Sequence, residues 1–99
     1  MVVYILHSDS IQEYYVGISQ DLVDRLKRHN SGRSKATKKG VPWEVIRIIH
    51  CTTRSEAVIL EKKIKKRGIQ RWLLDNLSEE QPDIKSIEQY RVPPKAGRS

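Results

Sequence analysis

Five side chains able to do chemistry follow one another along the first two thirds of the chain: Tyr4, Tyr15, Arg25, His29 and Glu61. Tyr4 and Tyr15 bring phenol hydroxyls into two short apolar segments, Val2-Val3-Tyr4-Ile5-Leu6 and Tyr14-Tyr15-Val16-Gly17-Ile18. Arg25 and His29 fall on one helical stripe with Leu22 and Leu26, so a guanidinium and an imidazole point where core side chains point. Glu61 shares its stripe with Ala57, Leu60 and Ile64. An ionised carboxylate buried without a partner is costly, so Glu61 must meet a cation, a hydrogen-bond donor or a metal. Two readings follow. One is a salt bridge to Arg25 or to Lys65, one turn on. The other is a ligand for one divalent ion, because Mg²⁺ needs only one or two carboxylates when substrate phosphate and water complete its octahedron. The other four also have plain structural readings: strand tyrosines, an arginine snorkelling from the core edge, and a helix C-terminal cation.

The elements that must position these groups are legible from period and punctuation. The first two segments alternate as strands, and the polar stretch from Ser8 to Glu13 between them is short enough for a hairpin loop. Pairing His7 with Tyr14 sets Tyr4 opposite Gly17, and a glycine inside a strand leaves room for close approach. A helix starts after Ser19 or Asp21 and ends at Asn30-Ser31-Gly32, with Gly32 available for a left-handed cap. Gly40-Val41-Pro42-Trp43 opens a third strand through Glu44 to Cys51. Alternation there puts Trp43, Val45 and Ile49 on one face and Ile46 and Ile48 on the other. Thr53 caps a longer helix, with Glu56 at the capping-box position, and Gly68 stops it. Trp72, Leu73, Leu74 and Leu77 then suggest a short packing helix. The expected organisation is one domain over residues 1–78 and a polar, partly loose C-terminal tail over 79–99.

The chain carries 19 basic and 12 acidic side chains, net +7, and their distribution says more than their sum. Residues 1–24 carry −4, residues 25–71 carry +12 and residues 72–99 carry −1. Positive charge thus covers both principal helices and the loop Gly32-Arg33-Ser34-Lys35-Ala36-Thr37-Lys38-Lys39-Gly40, whose hydroxyls, cations and free amides suit a phosphate backbone. Arg28, Arg33, Lys35, Lys38, Lys39, Lys62 and Lys65 are the candidate contacts. A solvated basic face is the plainer alternative. One cysteine, Cys51, rules out an intrachain disulfide framework and a cysteine zinc site, and it reads as a small buried hydrophobe at a strand end. With no apolar run long enough for a span, no membrane association is expected, and the expected location is the cytoplasm.

In order and spacing the chain resembles the GIY-YIG nuclease family across residues 2–67. Tyr4 stands at the tyrosine of the first name element, and Tyr15-Val16-Gly17 matches the second. Arg25 and His29 match the arginine and the His-or-Tyr of the first helix, and Glu61 the metal-binding glutamate. The Gly-x-Ser-x-x-Thr-x-x-Gly-x-Pro-Trp run over 32–43, and Ser55-Glu56-Ala57 through Glu61-Lys62-Lys63-Ile64-Lys65, look like small stand-alone bacterial members. Val2 and Val3 replace the Gly-Ile of the name. Asn76 is the nearest residue to an asparagine the family often carries, and it is not carried over.

The resemblance implies an α/β (α+β) domain with a three-stranded antiparallel sheet flanked by helices. It implies a divalent-metal-dependent endonuclease hydrolysing phosphodiester bonds in DNA, with branched, damaged and single-stranded forms as candidate substrates and RNA not excluded. Tyr4 would be the general base or its relay, Tyr15 would support the water, and Arg25 would hold the scissile phosphate. His29 would orient Tyr4 or share its proton, and Glu61 would hold Mg²⁺ or Mn²⁺. A base role for Tyr4 requires Arg25 or the metal to lower its pKa. Two other classes stay open: a nucleic-acid-binding module with a weak or vestigial site, and an interaction domain built on Trp72 and the leucines beside it. An accessory protein and any oligomeric state are likewise open.

Overall fold

The structure, a computed structural model, describes residues 1–77. The tail expected over 79–99 lies outside the described residues, as does Ser78. In chain order the elements are strands β1 (Val2–Ser8) and β2 (Glu13–Ser19), helix α1 (Leu22–Asn30), strand β3 (Trp43–His50), and helices α2 (Arg54–Arg67) and α3 (Ile69–Asp75). A short 3₁₀ turn covers Lys38–Gly40. The sheet is antiparallel in the order β2-β1-β3, so Tyr4 sits near the middle of the central strand. This is the three-stranded, helix-flanked α+β arrangement expected.

The β1–β2 register runs from Val2 opposite Ser19 to Ser8 opposite Glu13, with Tyr4 facing Gly17 and His7 facing Tyr14. Strand alternation then gives the sheet two packed faces. Val3, Ile5 and Val16 join Ala57, Ile64 and Trp72 under α2 and α3. Tyr4 and Leu6 join Leu22, Leu26, Trp43 and Val45 under α1. Because the chemistry-bearing strand is covered on both sides, Tyr4 is fully buried.

Local sequence sets the helix ends. Asp21 is the cap of α1, its Oδ1 accepting the Asp24 amide at 3.0 Å, while Ser19 supports the turn by accepting the Asp21 amide at 2.9 Å. Gly32 is left-handed at φ 79° just past the helix. Thr53 Oγ1 accepts the Glu56 amide at 3.2 Å, and Glu56 reaches back to the Thr52 amide at 3.0 Å, one residue before the capping-box position.

Two expectations are corrected. In β3, Ile48 packs with Trp43 and Val45, whereas Ile49 packs with Ile46 on the opposite face. The cause is a bulge: Ile5 pairs with Arg47 but Leu6 with Val45, so Ile46 is the extra residue and the alternation shifts by one. Arg47, 3% exposed, lies over the Trp72 ring at 5.5 Å and donates to the Asn76 carbonyl at 3.2 Å. In α3 only Trp72 is buried; Leu74 and Leu77 are exposed, and Leu77 follows the helix.

The loop between α1 and β3 is closed at its base by one side chain. Asn30 accepts the Trp43 amide at 2.6 Å and donates to the Trp43 carbonyl at 3.1 Å. Asn30→Ala leaves both backbone groups partly buried without that partner. It is expected to lower stability by about 1–3 kcal/mol, seen as a lower urea midpoint at unchanged slope.

Candidate active site

The centre of the site is the Tyr4 phenol. Its Oη and the Nε2 of His29 are 3.0 Å apart in a buried hydrogen bond. The strand opposite makes room for the ring: a Cβ added to Gly17 would lie 2.5 Å from Oη and 2.7 Å from Cζ of Tyr4. His29, 3% exposed, comes from the last turn of α1, on the stripe with Leu22 and Leu26. Its other nitrogen, Nδ1, lies 2.9 Å from the hydroxyl oxygen of Thr37. The Trp43 indole N–H donates to the Thr37 carbonyl at 2.7 Å. Tyr15 completes the wall, edge-on to His29 at 4.9 Å between centroids, with Tyr4 at 6.4 Å and Trp43 at 6.3 Å.

Electrostatics bring the remaining two residues to the same phenol. Burial raises the Tyr4 pKa well above 10.0, with Tyr15 and Glu61 adding to the rise. Arg25 opposes it as a nearby positive charge. The expectation that Arg25 would lower the phenol is therefore corrected in balance: its pull is present, and desolvation exceeds it. Burial, helped by Arg25, lowers the His29 pKa below 6.5. The pair is thus held as neutral phenol and neutral imidazole at pH 7.

Glu61 has a side chain 20% exposed and meets Lys65 at 3.5 Å, the second of the two salt-bridge partners expected. Among the described residues no group of three or more His, Cys, Asp or Glu side chains gathers. A lone carboxylate would suit only an ion completed by substrate phosphate and water, not a caged resident ion. Arg28, Arg33, Lys35, Lys38, Lys39, Lys62 and Lys65 are all exposed, on α1, the loop and α2. Arg28 faces Asp24 at 4.0 Å. Asn76 caps α3, its side-chain amide donating to the Trp72 carbonyl at 2.7 Å, so it is occupied by structure.

Of the residues that sequence reasoning brought together, Tyr4, Tyr15 and His29 lie in mutual contact, and Arg25 and Glu61 act on the Tyr4 phenol as charges. Sequence reasoning missed Thr37, placing its hydroxyl with the strand-tracking loop. Thr37 is 1% exposed and points inward. The only sequence signal was a lone uncharged β-branched residue amid lysines.

A family model described as the GIY-YIG catalytic domain matches residues 1–71, which hold every one of these side chains. The chain matches no curated protein and no solved structure. No helix among the described residues is long and apolar enough to cross a membrane.

Two outcomes test this geometry. Gly17→Ala should displace the Tyr4 ring and destabilise the fold by about 1–3 kcal/mol, measured by urea unfolding. With its folded pKa below 6.5, His29 stays neutral while the unfolded chain takes up a proton, so stability should fall as pH drops below 6.5. The slope is at most about 1.4 kcal/mol per pH unit, and His29→Gln should remove that share of it.

Proposed function

The chain belongs to the GIY-YIG family, and we propose that it is an endonuclease that hydrolyses phosphodiester bonds in DNA with one divalent ion at Glu61. Domains of this family are generally nucleases that use divalent metals. The observation that carries the reading is the convergence of His29, Arg25, Tyr15 and Glu61 on one buried phenol. A merely structural tyrosine needs one hydrogen-bond partner, not a cation, an anion and a second phenol as well.

Each residue then has a task. Arg25, half-buried at the edge of the site, holds the scissile phosphate through parallel N–H bonds to two of its oxygens. Its charge acts on the Tyr4 phenol at the same time. Tyr15 supports the attacking water. As the water oxygen bonds to phosphorus, its proton passes to Tyr4 Oη and the phenol proton passes to His29 Nε2, 3.0 Å away. The leaving P–O bond breaks on the side of Glu61. A divalent ion held by Glu61 would supply positive charge to the phosphate and to the leaving oxygen. The exposed cations Arg28, Arg33, Lys35, Lys38, Lys39, Lys62 and Lys65 hold the flanking backbone without reading bases.

Labelled single-stranded, duplex, flapped and branched DNA, with Mg²⁺, Mn²⁺ or EDTA, tests the reading. Cleavage should require metal and vanish in Glu61→Ala while salt-sensitive binding persists. Tyr4→Phe should lower the rate by roughly 10²- to 10⁴-fold. Salt-sensitive binding with no cleavage of any substrate by the wild type would replace the endonuclease with a binding module.

A further inference from the structure

We propose that Thr37 is a positioning residue that locks His29 in the tautomer carrying its proton on Nδ1, leaving Nε2 bare to receive the Tyr4 proton. Its consequence for catalysis rests on the endonuclease reading, whereas the tautomer itself does not.

The polarity follows from counting protons along the chain of contacts. Each hydroxyl on the ring has one proton, and the phenol of Tyr4 is the stronger donor and the weaker acceptor of the two, so a neutral imidazole accepts from Tyr4 and donates to Thr37. The phenol has one proton of its own and is fully buried, and its side-chain hydrogen-bond partner is His29 Nε2 at 3.0 Å. If Nε2 carried a proton, the phenol oxygen would have to accept it, and the more acidic of the two hydroxyl protons would lose this acceptor. With Nε2 bare, Tyr4 O–H donates to it. A neutral imidazole then carries its proton on Nδ1, 2.9 Å from Thr37 Oγ1, which accepts. All the buried side-chain polar atoms among the described residues have partners, as this arrangement requires.

The loop is built to hold that hydroxyl still. Thr37 is 1% exposed, its carbonyl accepts the Trp43 indole N–H at 2.7 Å, and its amide donates to the Ser34 carbonyl at 3.2 Å. Gly40 admits the Trp43 ring, which lies where a Cβ would stand. Asn30 ties the end of α1 to the start of β3 on either side of the same loop. The basic loop therefore has an inner side that serves His29 and an outer side that carries Arg33, Lys35, Lys38 and Lys39.

The test is the ¹⁵N NMR signature of the His29 ring in the full chain, at neutral pH and without DNA, for wild type, Thr37→Val and Thr37→Ser. The expected wild-type spectrum shows a protonated Nδ1 and a bare Nε2. Thr37→Ser should keep it, and Thr37→Val, which removes the acceptor, should lose the single tautomer. In cleavage assays Thr37→Val should lower kcat by roughly 10- to 100-fold with KM little changed, and Thr37→Ser should restore it. A protonated Nε2 in the wild type overturns the proposal even if the valine variant does not fold. So does a folded Thr37→Val with the wild-type tautomer. Absence of wild-type cleavage would overturn the endonuclease reading alone, because the tautomer is read without activity.

Discussion

The phenol hydroxyl of Tyr4, buried at the middle of the central strand, is the constraint on which the site depends. A buried hydroxyl left without a partner costs about 1–3 kcal/mol, a sizeable share of the stability of a domain this small. His29 answers it from α1, which fixes how α1 lies across the sheet. His29 in turn needs a partner for its second nitrogen, which draws Thr37 inward and sets the path of a basic loop. Trp43 and Asn30 then close that loop onto the start of β3. One polar group thus links β1, α1, the loop and β3, and the apolar residues around it supply the driving force for closure.

Much of this was legible because it rests on local rules. The β1–β2 register could be read since a short polar loop and alternating faces leave few alternatives, and a one-residue slip would turn Tyr4 and Gly17 to opposite faces. The caps at Asp21 and Thr53 and the glycine stops were legible for the same reason. What escaped depends on residues far apart in sequence. The bulge at Ile46 answers the fit of β3 against β1, so no pattern within β3 announces it. The inward turn of Thr37 depends on where His29 sits, eight residues back and on another element. Within residues 32–40 alone, a threonine among lysines reads as one more surface hydroxyl. Leu74 and Leu77 were read as packing residues by composition, but α3 is too short to bury more than its Trp72 side.

The two faces of the sheet divide the labour. The α2–α3 face is apolar apart from Arg47, whose guanidinium lies against Trp72 and bonds the Asn76 carbonyl. The α1 face carries both core and chemistry, so its apolar residues are arranged around the phenol and imidazole. Glu61 belongs to α2, a helix that covers the first face, yet it is close enough to Tyr4 to raise the phenol's pKa. With one turn of α2 contributing both Ile64 to the core and Glu61 to the site, no separate catalytic element is needed. That economy leaves one carboxylate, not a cluster, to act on the phenol among the described residues.

The direction of the two pKa shifts fits this division. Burial favours the neutral form of both Tyr4 and His29, so the resting site keeps an uncharged pair in its interior. Moving the proton from phenol to imidazole would create two opposite charges there. Ordinary values of 10.0 and 6.5 already set that transfer uphill by about 5 kcal/mol, and burial widens the gap from both ends. A small fold is better served by holding the charge at its rim. Arg25 and Glu61 are only partly buried, where water and Lys65 help to solvate them. On the endonuclease reading, the interior would supply geometry and a path for the proton, and the charge that makes the path passable would come from the rim with the substrate.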